Sequence, residues 1–121
     1  MEIRAKDLLK YDDGFCIGIS FYSKPYVERC IKTDDSSVIE DISDFYYSSS
    51  EGLELEYYDI YNHFEGRKHP YTVRKFREFV NKKNIPLDEK IVLWEQDDCS
   101  MTTFEDILEF EDIDTKYIIL I

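Results

Sequence analysis

Hydrophobic positions change period several times along the chain, and each change predicts an element. Phe15, Ile17, Ile19 and Phe21 alternate with Cys16, Gly18, Ser20 and Tyr22, a repeat of every second residue that predicts a strand. Residues 3–10 ahead of it carry a weaker helical pattern, and Asp12-Asp13-Gly14 predicts a turn. Ser23-Lys24-Pro25 predicts a turn into a second strand, Tyr26 to Lys32, closing a hairpin. Ser37 with Glu40 fits a capping box, in which hydroxyl and carboxylate satisfy orphan amides reciprocally. Ile39, Ile42 and Phe45 or Tyr46 then recur at helical spacing and predict a helix near 38–47, although Val38-Ile39 also suits the start of a strand. Leu53, Leu55 and Tyr57 alternate with Glu54, Glu56 and Tyr58, the pattern of a half-buried strand.

Pro70 suits the first turn of a helix, where its missing amide matters least. Val73, Phe76, Phe79 and Val80 supply the apolar stripe of that helix to about Lys83, and Ile85-Pro86-Leu87 ends it. Ile91-Val92-Leu93-Trp94 reads as a buried strand. Thr102 with Glu105 makes a second capping box, predicting a short helix with Phe104, Ile107 and Leu108 inward. Tyr117 to Ile121 is a continuous apolar strand. Strands and helices mixed without regular alternation predict an α+β fold. The expectation is one compact domain over residues 1–121, with a mostly antiparallel sheet of about five strands packed with two or three helices.

Composition agrees with a folded chain, because 10 Tyr and 8 Phe are far too many for an acidic disordered one. The longest apolar run, Tyr117 to Ile121, is too short to span a membrane, and no apolar segment follows the first residues as in a signal peptide. Cys16, Cys30 and Cys99 are odd in number and form no CxxC, so reduced thiols and a cytoplasmic protein are expected.

Charge changes the picture more. The chain holds 15 basic and 27 acidic residues, for a net charge of -12. Residues 33–66 and 91–115 contain no Lys or Arg, whereas Arg67 to Lys83 holds Arg67, Lys68, Arg74, Lys75, Arg77, Lys82 and Lys83 against the single acid Glu78. Such a surface disfavours direct binding to nucleic acid or an anionic membrane. Solubility, with the basic segment neutralising an acidic neighbour, is the plainer account. What favours a docking face is placement, because acids are interleaved with aromatics in Asp44-Phe45-Tyr46-Tyr47 and Glu54-Leu55-Glu56-Tyr57-Tyr58-Asp59. On a strand, Glu54, Glu56 and Tyr58 share a face at steps of roughly 6.6 Å. Carboxylates at that repeat anchor Arg and Lys, and tyrosine adds stiff contact area. The expected contacts are Asp44, Tyr46, Tyr47, Glu54, Glu56, Tyr58 and Asp59, with Glu95, Asp97 and Asp98 as a second patch.

The string Ser43-Asp44-Phe45-Tyr46-Tyr47-Ser48-Ser49-Ser50-Glu51-Gly52 resembles the Tyr-Tyr contact segment of colicin DNase immunity proteins, where tyrosines flanked by acids meet the toxin. The likeness is one of chemistry over that stretch, and those proteins are short helical bundles. The alternative for Tyr46 and Tyr47 is that they close a helix end against the core. The expected function is a small acidic inhibitor of a basic nucleic-acid-processing effector, as a toxin immunity protein, an antitoxin or a phage inhibitor of bacterial defence nucleases of the anti-CRISPR type. Two other readings stand beside it. One is a metal-dependent hydrolase using Glu95, Asp97 and Asp98 at a strand end. The other is a non-inhibitory adaptor whose tyrosine-rich strand adds to a partner's sheet edge. His63 and His69 read as loop residues, no nucleotide-binding or hydrolase motif is present, and no cofactor or metal is expected.

Overall fold

A computed structural model describes residues 2–58 and 70–121. Among them are three helices and eight strands: α1 (Ala5–Leu8), β1 (Cys16–Ile19), α2 (Lys24–Lys32), β2 (Glu40–Asp41), β3 (Asp44–Ser48), β4 (Gly52–Tyr57), α3 (Val73–Lys83), β5 (Ile91–Glu95), β6 (Ser100–Thr103), β7 (Ile107–Glu111) and β8 (Lys116–Leu120). The α+β class holds, but the expected five-stranded, mostly antiparallel sheet does not. The strands form two mixed sheets of four, ordered β2-β1-β8-β7 and β3-β4-β5-β6. Each has one parallel pair at its centre, β1 with β8 and β4 with β5, and antiparallel strands outside.

Three elements differ from the sequence expectation. Residues 26–32 are helical because Val27, Cys30 and Ile31 recur at helical spacing and bury one face, while Pro25 sits in the first turn, where a lost amide is harmless. The predicted helix over 38–47 is two strands. The Ser37 amide donates to Asp35 Oδ1 at 3.0 Å in a turn, and Phe45, Tyr46 and Tyr47, good strand formers, pair with Leu55, Glu54 and Leu53. The helix expected to open at Thr102 is likewise strand. Thr102 and Thr103 pair with Leu93 and Val92, and β7 follows after Asp106 accepts the Ile107 amide at 2.8 Å. The other expectations survive with shifted ends. Helix α3 starts after Pro70, with Thr72 Oγ1 accepting the Lys75 amide at 3.2 Å, and stops at Asn84 in the left-handed region (φ 54°).

The inner faces of both sheets meet in one apolar cluster. Ile17, Ile19, Ile118 and Leu120 come from the first sheet, and Phe45, Leu53, Leu55, Ile91 and Leu93 from the second. Helix α3 adds Val73, Phe76 and Val80, and α1 adds Ala5 and Leu8. Phe45 is the hub at the β3 end, with the Tyr71, Phe76 and Phe79 rings at 4.6, 5.3 and 5.5 Å. The outer face of the first sheet is covered as well, where Val27 and Cys30 of α2 pack on Phe110 and Ile119. Gly18 belongs to that covered face, since a Cβ there would lie 2.7 Å from Ile39 Cγ2 and 3.0 Å from the Tyr117 ring.

The Gly18→Ala variant is therefore expected to lose about 1–3 kcal/mol through overpacking. Urea unfolding should show a smaller loss in an Ile39→Ala background, and equal losses in both would remove the steric account.

Candidate acidic docking face

The second sheet has one face in the core and, among the described residues, no helix packed on the other. Strand register decides which residues stand there. Asp44 pairs with Glu56 and Tyr46 with Glu54; Glu54 and Glu56 pair in turn with Val92 and Trp94, and these with Thr103 and Met101. Paired residues share a face, so the outer surface carries Asp44, Tyr46, Glu54, Glu56, Val92, Trp94, Met101 and Thr103. The four strands contain no Lys or Arg. Tyr46, Glu51, Glu54, Glu56, Trp94 and Met101 line a concavity of about 360 Å³ on this surface. Tyr46 is 40% exposed and Met101 52%, so both present apolar surface to solvent beside the carboxylates.

Glu54 lies at the centre and is 6% exposed. Among the described residues, no hydrogen bond or ion pair reaches its carboxylate. Burial pushes its carboxyl above the ordinary value, and the like charges of Glu51 and Glu56 add to the effect. Glu56 accepts the Tyr58 hydroxyl at 2.9 Å, and the Tyr58 amide donates to Ser43 Oγ at 2.9 Å. Asp44 accepts the Phe45 amide at 2.8 Å and the Tyr71 hydroxyl at 3.1 Å. The Tyr46 phenol is held above its usual value, chiefly by the Glu51 carboxylate. The Trp94 indole N–H donates to Gln96 Oε1 at 3.2 Å, which pins the ring along its strand.

The residues expected as contacts fall into three groups. Asp44, Tyr46, Glu54 and Glu56 stand together on the open face, with Tyr58 joined to them through Glu56. Tyr47 does not. It pairs with Leu53 on the inner side and packs against the core, so Tyr46 and Tyr47 point oppositely and form no paired-tyrosine surface. They also sit on a strand, not at a helix end. Asp59 lies outside the described residues, as do His63, His69, Arg67 and Lys68. Glu95, Asp97 and Asp98 do gather, lining a second concavity with Phe21 and Tyr57. Glu95 pairs with Tyr57, which places it on the opposite side of the sheet from Glu56 and Trp94. Burial raises the Glu95 carboxyl, helped by Asp98 and then Asp97. Among the described residues, no three His, Cys, Asp or Glu side chains form a group able to hold a metal ion.

Sequence reasoning missed Trp94, Met101 and Glu51. Trp94 was hidden inside an apolar run that reads as doubly buried, yet Val92 and Trp94 are only partly covered while Ile91 and Leu93 are buried. No local signal separates the two faces of that run, because Glu95 stands on the side of Ile91 and Leu93, and Trp94 joins the open face only through its pairing with Glu56.

The described cations of the basic helix do not neutralise this face. Arg77 pairs with Asp13 at 3.1 Å and donates to the Leu9 carbonyl at 3.2 Å; Arg74 pairs with Glu78 at 3.4 Å; Lys75 lies 5.5 Å from the centre of the Tyr71 ring. No helix of the described residues is long and apolar enough to cross a membrane. No protein-family model, curated protein or solved structure matches the chain.

Glu54 and Glu95, with raised carboxyls, oppose folding once ionised, and the stability held below their unfolded values is lost as pH rises through their folded ones. Asp12, Asp35, Asp88, Asp106 and Asp112 are lowered, by hydrogen bonds from Lys116, Ser37, Lys6, Lys24 and the Thr115 amide respectively, and act in the reverse sense below the ordinary carboxylate range. Thermal unfolding should therefore peak on the acid side of neutrality. Glu54→Gln is expected to raise Tm at pH 7 by roughly 2–6 °C and to flatten the approach to that peak. A lower Tm for Glu54→Gln at pH 7 contradicts this account.

Proposed function

We propose that the protein is a binding protein without catalysis that docks its open sheet face on a cationic protein surface, inhibiting a nucleic-acid-processing effector. The observation that carries this reading is the Asp44, Tyr46, Glu54, Glu56, Trp94 and Met101 surface, which combines carboxylates with exposed aromatic and thioether groups and has no cation on its strands. Carboxylates recur at about 6.6 Å along β4 and about 4.8 Å across to β3. That array offers successive acceptors to Arg and Lys and competes with phosphate for the same donors. Long-range attraction speeds encounter with a basic partner, while Trp94, Tyr46 and Met101 supply the contact area that slows release. Glu95, on the opposite side of the sheet, gathers with Asp97 and Asp98 around a separate concavity and forms a second contact outside the open face. A toxin, a toxin of an antitoxin pair and a defence nuclease are each candidate partners where they bind nucleic acid through a cationic groove.

The test uses a double charge reversal at the rim, Glu51→Lys with Glu56→Lys, since a lysine at buried Glu54 would confound binding with folding. The partner captured from the native host at low salt should lose its activity on nucleic acid when the wild-type chain is added. The variant is expected to associate at least about tenfold more slowly and to show a shallower dependence on ionic strength. Equal association rates across a salt series would remove the face from the account.

A further inference from the structure

Glu54 is the feature that folding alone does not explain. It sits at the floor of a concavity, 6% exposed, with like charges as its nearest electrostatic neighbours. A carboxylate buried without a partner is destabilising, and an apolar residue would fit the same strand better. Groups held at such a disadvantage mark places where a ligand supplies what is missing. The surroundings state what that ligand must be. Glu51 and Glu56 add acceptors around the rim, and Tyr46, Trp94 and Met101 supply two aromatic surfaces and a polarisable thioether.

Resting on the docking reading above, we propose that this concavity is a receptor for one arginine side chain of the partner protein, with the guanidinium paired to Glu54 and its plane set against Trp94 or Tyr46. A guanidinium meets every requirement at once. It is planar and stacks on indole or phenol while donating in its own plane to carboxylates, and it gives up hydration more readily than an ammonium. A volume of about 360 Å³ accommodates the head group with part of its aliphatic stem, which Met101 can cover. The arginine then becomes the centre of the interface, desolvated inside a ring of contacts, and the open carboxylates of the face serve to guide it in.

Trp94 is the only tryptophan of the chain and therefore reports directly on the pocket. The full-length protein is titrated with Nα-acetyl-arginine methylamide, with the citrulline analogue of the same shape and no charge, and with the lysine analogue, following Trp94 emission and its indole N–H resonance. The arginine probe should give a saturable change. The citrulline probe, and the arginine probe on Glu54→Gln, should bind at least tenfold more weakly, and the lysine probe several-fold more weakly. Arginine and citrulline responses of equal strength, or an unchanged affinity in Glu54→Gln, overturn the receptor; equal arginine and lysine binding overturns the choice of guanidinium. Circular dichroism and the Tm of Glu54→Gln show that its fold is intact. Failure here, with the rim reversal still slowing partner association, sinks the arginine receptor alone. An unaffected rim variant sinks the docking face itself.

Discussion

The parallel register of Gly52–Tyr57 against Ile91–Glu95 decides which side chains of the second sheet sit in the core and which face water. It sets Leu53 beside Ile91 and Leu55 beside Leu93 inside, and Glu54 beside Val92 and Glu56 beside Trp94 outside. A slip of one residue would drive two glutamates into the core, so apolar burial on one face fixes the composition of the other. The outer strands inherit the same order, which brings Tyr46 and Met101 to the edges of the acidic patch. The chemistry of the open face is thus a by-product of how the core is filled, and its position needs no further support.

The two sheets treat their outer faces differently. The first is sealed by α2, and Gly18 leaves room for Ile39 to approach the strand. Among the described residues the second has no such cover, and it places charge and aromatic rings in the same layer. The basic helix, which carries the largest positive charge in the sequence, is packed behind Phe45 and spends Arg74 and Arg77 on Glu78 and Asp13. Charge segregation along the chain consequently survives as segregation in space for the described residues.

Much of this was legible from residue spacing, and what was not has physical causes. The strand Leu53–Tyr57 and the helix with Val73, Phe76 and Val80 announce themselves because each buries one face and wets the other. Residues 38–47 misled because Ser37-Glu40 satisfies a local capping rule, whereas the winning interaction is pairing with residues 53–56, which no local pattern contains. Residues 26–32 misled in the opposite direction, since a proline that reads as a turn also starts a helix. For the site, period-two arithmetic placed Glu54 and Glu56 on one face and equally implies that adjacent Tyr46 and Tyr47 part company. The resemblance to a tyrosine-pair contact segment looked past that alternation. Trp94 and Met101 join the face only through strand order, and strand order is a property of the whole chain.

Strand β8 completes the first sheet between β1 and β7, and its partner β1 lies about a hundred residues earlier. Contacts of such separation form late and slowly, because a long loop must close before they are rewarded. On a ribosome, Ile17 and Ile19 wait with one side unpaired until Ile118 and Leu120 emerge from the exit tunnel. About a hundred residues are therefore synthesised between the two halves of the parallel pair that closes the first sheet, and the strong negative charge of that stretch helps keep nascent chains apart in the meantime.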